Sequence, residues 1–174
     1  HTRGTLHILD RKGQEITDLV LSNNVSVIGD YAFYGASNLT SITISNSVTE
    51  IGEYAFDYKY VILVDLNNTV KVIEDAAFRH CEKLRKINGL DNLEAIGNYA
   101  FLACYDLSNV ELPDSVSFIG KSAFERSGLR SINIPKSLDV ISKSTFEETE
   151  LNSIIIPKNV RFIDKCAFDN CIHL

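Results

Sequence analysis

Apolar and polar positions along this chain follow a grammar that returns every 22 or 23 residues. Its most regular member is the phrase Ile51-Gly52-Glu53-Tyr54-Ala55-Phe56, seen again as Ile96-Gly97-Asn98-Tyr99-Ala100-Phe101 and Ile119-Gly120-Lys121-Ser122-Ala123-Phe124. The closing phenylalanine falls at Phe33, Phe56, Phe78, Phe101, Phe124, Phe146 and Phe168, in steps of 23, 22, 23, 23, 22 and 22 residues. A fixed period of this size marks a solenoid, in which a unit too small to bury its own apolar face buries it against its neighbours. The rings are therefore expected to stack one over the next through a continuous apolar interior.

Counting back from each closing phenylalanine gives an apolar triplet spaced i, i+3, i+5. It reads Ile16/Leu19/Leu21, Leu39/Ile42/Ile44, Val61/Val64/Leu66, Leu84/Ile87/Gly89, Leu107/Val110/Leu112, Leu129/Ile132/Ile134 and Leu151/Ile154/Ile156. The last two members stand two apart, which is strand periodicity with the side chain between them facing out. One short parallel strand per coil follows. Turn residues come next, such as Ser45-Asn46-Ser47 and Pro113-Asp114-Ser115, where a missing backbone donor does no harm because the ladder is ending. The pair Val48 and Ile51, or Val116 and Ile119, then predicts a second short extended side.

In the phrase itself, Ile51, Ala55 and position 59 have a helical spacing, with Phe56 beside Ala55 on the inward face. The expectation is a short helical turn on the outer side, with Gly52 at the bend. Glu74, Ser142 and Asp164 replace that glycine in other coils, so the bend there must use ordinary backbone angles. Acidic Asp30, Glu53 and Asp75 would suit a helix N-terminus and Lys121, Lys143 and Lys165 would not; this column, beside Tyr31, Tyr54 and Tyr99, reads mainly as a solvated face, with a second contact region as the alternative. Residues 1–15 lack the phrase, carry apolar Leu6, Ile8 and Leu9 and turn at Asp10-Arg11-Lys12-Gly13; they are expected to form a strand- or hairpin-like N-terminal cap. Residues 16–174 are expected to form the repeat array, truncated inside its last repeat.

This grammar resembles the leucine-rich repeats of the BspA-like, or Treponema-type, class. The residues that carry the resemblance are Leu39-x-x-Ile42-x-Ile44 and Val48-x-x-Ile51-Gly52-x-x-Ala55-Phe56, continued over about 155 of the 174 residues. The commoner leucine-rich pattern, L-x-x-L-x-L-x-x-N/C-x-L, is met in its first half alone. Three residues after the last strand position stand Ser47, Thr69, Asn92, Ser115, Ser137 and Asn159, so a regular asparagine ladder is missing. The resemblance implies an α/β, right-handed, curved solenoid with strands on the concave side and helical turns on the convex side. It also implies a non-catalytic protein of a bacterial or protist cell surface, or a secreted one, that binds a host, matrix or neighbouring-cell protein.

Composition narrows the function further. With 45% hydrophobic and 23% charged residues the chain can bury a core, and no stretch is long and apolar enough to span a bilayer. The net charge of −6 is spread over both halves without a basic cluster, which disfavours nucleic acid and anionic membranes as partners. There is no Gly-x-Ser-x-Gly, no phosphate loop and no His-Glu-x-x-His, so neither catalysis nor a cofactor is expected. His80, Cys81 and Cys104 lack metal-ligand spacing. Cys81, Cys104 and Cys171 each lie three residues after a closing phenylalanine, where Ala36 also stands, and read as free, buried small side chains, as Cys166 reads as unbridged. The sequons at Asn24, Asn38 and Asn67 matter only in a eukaryotic secreted protein.

The informative surface is the strand face, where side chains vary in type while the inward positions stay apolar. Ser41, Thr43, Asp65, Lys86, Asn88, Asn109, Glu111 and Asn133 are the candidate protein-binding residues. Its columns hold no aromatic residue, which argues against a glycan-binding module. The alternative role is a rigid spacer that holds another domain away from a surface.

Overall fold

Parallel strands of two or three residues recur in two series along the chain. The computed structural model describes residues 9–36 and 38–174. The first series is β1 (Asp18–Val20), β3 (Ser41–Thr43), β5 (Leu63–Asp65), β7 (Lys86–Asn88), β9 (Asn109–Val110) and β11 (Ser131–Ile132). The second is β2 (Val27–Ile28), β4 (Glu50–Ile51), β6 (Val72–Ile73), β8 (Ala95–Ile96), β10 (Phe118–Ile119), β12 (Val140–Ile141) and β13 (Phe162–Ile163). Pairing links β1-β3-β5-β7, then β9-β11, in the first sheet, and β2-β4-β6-β8-β10, then β12-β13, in the second. Register matches the sequence period, with Ile42 opposite Val64 and Ile51 opposite Ile73. The second extended side expected from Val48 and Ile51 is thus a sheet in its own right.

Between the sheets runs the phenylalanine stack. Successive rings from Phe33 to Phe168 lie 5.1–5.9 Å apart between centroids, with interplanar angles of 2–16°. Phe56, Phe78, Phe101, Phe124 and Phe146 are fully buried, whereas Phe33 and Phe168 are only partly so. Each internal ring is worth about 1.5–3 kcal/mol through burial alone. Gly89, which stands at an apolar position of the triplet, has a φ of 77° and lets the next residue, Leu90, turn into the core.

The helical turn expected on the outer side is absent among the described residues, and the backbone shows why. Tyr54 and Tyr58 have φ values of 56° and 57°, and Ala76 and His80 repeat this one coil on at 55° and 56°. A left-handed residue every fourth position cannot continue a right-handed helix. The N–H groups of residues 54, 56 and 58 donate to the carbonyls of Asp75, Ala77 and Arg79 in the next coil, while Ala55 and Asp57 donate three residues back within their own coil. Every second donor therefore stitches coils together, and the outer wall is a stack of consecutive β-turns. With no helix there, no helix N-terminus favours Asp30 and Glu53 or disfavours the lysines. No helix among the described residues is long and apolar enough to cross a membrane.

Two side-chain ladders replace the missing asparagine ladder. At the corner between the sheets, Ser47, Thr69, Ser115 and Asn159 donate to the carbonyls of Val25, Val48, Leu93 and Leu138 in the preceding coil, at 2.6–2.8 Å. Asn92 donates to the carbonyl of Asn68 in the same way. After the second sheet, Asp30, Asp75 and Asn98 each use Oδ1 to accept the N–H of Glu53, Asn98 and Lys121 one coil on, at 2.8–2.9 Å. The carboxylate or amide then sits above the next coil's backbone. A Cβ on Gly52 or Gly97 would lie 2.5–2.6 Å from the main chain beneath it, so the glycine answers a close approach between coils. At the start of the described chain, Leu9 and Glu15 form an antiparallel bridge across a turn in which Asp10 Oδ1 accepts the N–H groups of Lys12 and Gln14. Residues 1–8 of the expected cap lie outside the described residues.

Candidate recognition surfaces

The first-sheet face presents the side chains that alternate with the buried Leu19, Ile42, Val64, Val110 and Ile132. Thr43, Asp65 and Asn88 stand in one column on adjacent strands, and Ser41, Leu63 and Lys86 in the next. The four-stranded sheet thus brings five of the expected site residues together. Asn109 belongs to the separate β9-β11 pair, and Glu111 and Asn133 follow those strands.

Hydrogen bonding divides these residues into two groups. Asn133 receives the Leu112 N–H at 2.7 Å on Oδ1 and returns a bond to the Leu112 carbonyl at 2.8 Å, so it completes the main-chain ladder. Asp65 Oδ1 accepts the N–H of Asn67 and fixes the corner turn. Ser41 donates to Asp18 Oδ1, and Asn109 accepts from Ser131. By contrast Thr43, Lys86 and Glu111 are exposed and Asn88 is half-buried. At the far end of the face, Ser131, Asn133, Ser153, Ile155 and Pro157 help line a cleft of about 350 Å³.

A second assembly, on the turn wall, escaped the sequence reading apart from its tyrosine column. Arg79 makes a bidentate pair with the fully buried Asp57, at 3.0 and 2.9 Å, and lies over the rings of Tyr54 and Tyr58 at 5.0 and 5.3 Å. Hydrogen bonding to Asp57 raises the Arg79 pKa. Tyr58 stacks on His80 at 4.4 Å, and Tyr31 on Tyr54 at 4.9 Å. Burial, and after it the Arg79 charge, lowers the His80 pKa. Lys59 occupies the column held elsewhere by Ala36, Cys81 and Cys104, is 3% exposed, and has its amine 5.9 Å from the Tyr34 ring centroid. Burial lowers its pKa, against the pull of Asp57. The available signal was the period: ion pairs Asp57–Arg79, Asp114–Lys136 and Arg126–Glu148 each join residues one coil apart.

All four cysteines are free thiols. Cys81 and Cys104 are buried and donate to the carbonyls of Phe56 and Phe78, each at 3.2 Å. Burial pushes the Cys81 pKa up to about 12 and raises that of Cys104 as well, which suppresses thiolate chemistry. Cys166 and Cys171 are half-buried, a looser setting than the one expected for Cys171.

The family described as the BspA type leucine rich repeat region, in six copies, matches residues 11–62 and 49–174. The chain belongs to this family. Among solved structures, a leucine rich repeat protein of T. pallidum aligns with a TM-score of 0.80 and 26% identity over 91% of this chain and 83% of its own. A leucine-rich repeat protein from Bacteroides ovatus gives 0.66 and 28%, over 88% of this chain and 46% of its own. A leucine rich cell surface protein from Faecalibacterium prausnitzii gives 0.55 and 25%, over 92% of this chain and 52% of its own. This BspA-type chain therefore spans about half the length of the latter two. No curated protein matches it.

Proposed function

We propose that this BspA-type array is a non-catalytic recognition module that binds a protein partner across its first-sheet face, on or outside a cell surface. The observation that carries the reading is the division of labour on that face. Asp65, Asn109 and Asn133 are spent on holding neighbouring groups, while Thr43, Lys86 and Glu111 stand exposed between them on a scaffold that cannot easily shift. Polar side chains held on a rigid sheet lose little entropy when a partner docks. Kinship with a protein described as cell surface supports the location.

The test is an array of immobilised host ectodomains and matrix proteins, probed with the parent chain and with a Thr43→Ala, Lys86→Ala, Glu111→Ala variant. Binding of any captured protein is expected to weaken roughly tenfold or more, as when central contacts are truncated, with melting unchanged. Undiminished binding by the folded variant would move the partner to another wall, and no binding by the parent would favour the spacer role.

A further inference from the structure

The two outward columns of the first sheet are mainly polar, with Val20, Leu63 and Ile155 as the apolar exceptions, whereas the outward column of the second sheet is apolar. Val27, Val72, Ala95, Phe118, Val140 and Phe162 all face outward from it, and Phe118, in the body of the array, is 50% exposed. Glu50 is the one polar interruption, and burial together with the nearby Glu50 carboxyl raises the Glu74 pKa. Adjacent strands lie about 4.8 Å apart, so the stripe runs for about 29 Å. A solvated sheet face has no use for two half-exposed phenylalanines in line with four aliphatic residues.

Beside the stripe stands a column whose charge changes sign. Asp30, Glu53 and Asp75 occupy one end and Lys121, Lys143 and Lys165 the other, with Asn98 between them. The bonds that Asp30, Asp75 and Asn98 make to the next coil account for those three short side chains. They account neither for Glu53 nor for three successive lysines. Such a column complements itself when reversed.

We infer that the second-sheet face binds a second copy of this chain, about a two-fold axis parallel to the strands and close to Ala95, with the two arrays antiparallel. This operation places each column opposite its own reverse, as an isologous interface requires. Phe118 then meets the partner's Val72, Phe162 the partner's Val27, and Ala95, the smallest member, sits at the axis. Asp30 faces the partner's Lys165, Glu53 the partner's Lys143, and Asp75 the partner's Lys121. Lys121 already rests on the Tyr99 ring at 5.5 Å, so Lys143 and Lys165 are the freer arms. A ribbon of this width falls in the class of small interfaces, under about 1,200 Å² in total, and association is expected at micromolar concentrations.

Sedimentation velocity of the full chain from about 1 to about 300 µM, a range suited to such an interface, tests this. A concentration-dependent dimer that weakens with salt is expected, and a parent chain monomeric throughout would overturn the proposal and leave the stripe to another partner. Phe118→Asp should weaken dimerisation roughly a hundredfold while melting stays at the parent value, because this side chain is outside the core. Glu53→Lys and Lys143→Glu change side chains outside the stripe and leave the main-chain N–H of Glu53, which Asp30 accepts in the ladder, in place. Each alone should weaken the dimer roughly tenfold, since symmetry places the change at two sites, and together they should restore affinity to within about threefold. A dimer indifferent to Phe118→Asp, or a double variant as weak as the singles, would overturn the arrangement.

Discussion

The two sheets of this protein hang on one core and meet solvent differently. Outward positions of the first are polar for most of its length, with Ser41, Thr43, Asp65, Lys86 and Asn109 among them, and Ser41 and Asn109 bond along the stack. Corresponding positions of the second are valine, alanine and phenylalanine except at Glu50, with the other polar groups in the column beside it. Strand propensity alone would have served both faces with the same β-branched residues. The difference lies in how each wall keeps its coils in register: the first by side-chain bonds on its own face, the second by the Asx ladder at its edge. A sheet whose register is held at its edge is free to carry apolar side chains outward.

The sharpest way to break the comparison is to remove what both walls share. Phe101→Ala takes out a ring 2% exposed and stacked on both sides at 5.5 and 5.3 Å. It should cost about 3–5 kcal/mol in urea melts, and the same change at the partly exposed Phe33 about half as much. Equal losses would mean that the rings do not act as one stack.

Next in size is the edge of the second sheet. A Cβ on Gly97 would lie 2.5 Å from the Asp75 nitrogen and displace the coil beneath, so Gly97→Ser should cost about 2–3 kcal/mol. The chain shows where that cost disappears. Glycine follows Asp30, Asp75 and Asn98 one coil on, at Gly52, Gly97 and Gly120, whereas Glu74, Ser142 and Asp164 follow the longer Glu53, Lys121 and Lys143. Combined with Asp75→Lys, Gly97→Ser should therefore cost less than the sum of the two single changes, by about 1 kcal/mol in a double-mutant cycle. Strict additivity would sever the ladder from the glycine.

Much of this was legible in the chain. The period fixed the stack, and the triplet and the Val48–Ile51 pair located both strand series, because an inward position repeated every 22 or 23 residues has no other place to go. The outer wall reads as helical in the sequence because Ile51, Ala55 and position 59 fit a helix in spacing, while the left-handed residues fall at Tyr54 and Tyr58, types that carry no sign of it. The Asx and glycine pairing was present in the letters, but only across coils. Within one coil Gly52 looks like a bend, and its reason lies in Asp30 of the coil before. Of the candidate site, its column positions were readable and the division within them was not. Nothing in the identity of Asn133 tells that both its amide atoms are taken by Leu112.

The smallest effects separate the two kinds of polar residue on the first sheet. Asn133→Ala leaves the Leu112 N–H and carbonyl without their partners, and Leu112 is 4% exposed, so water reaches them poorly. A loss of about 1–2 kcal/mol follows, the usual penalty for unpaired main-chain groups near a core. Lys86→Ala and Glu111→Ala remove exposed side chains and should each change stability by less than about 0.5 kcal/mol. If thermal melts gave the three variants equal losses, Lys86 and Glu111 would be scaffold like Asn133. The face would then have no side chains to spare for a partner.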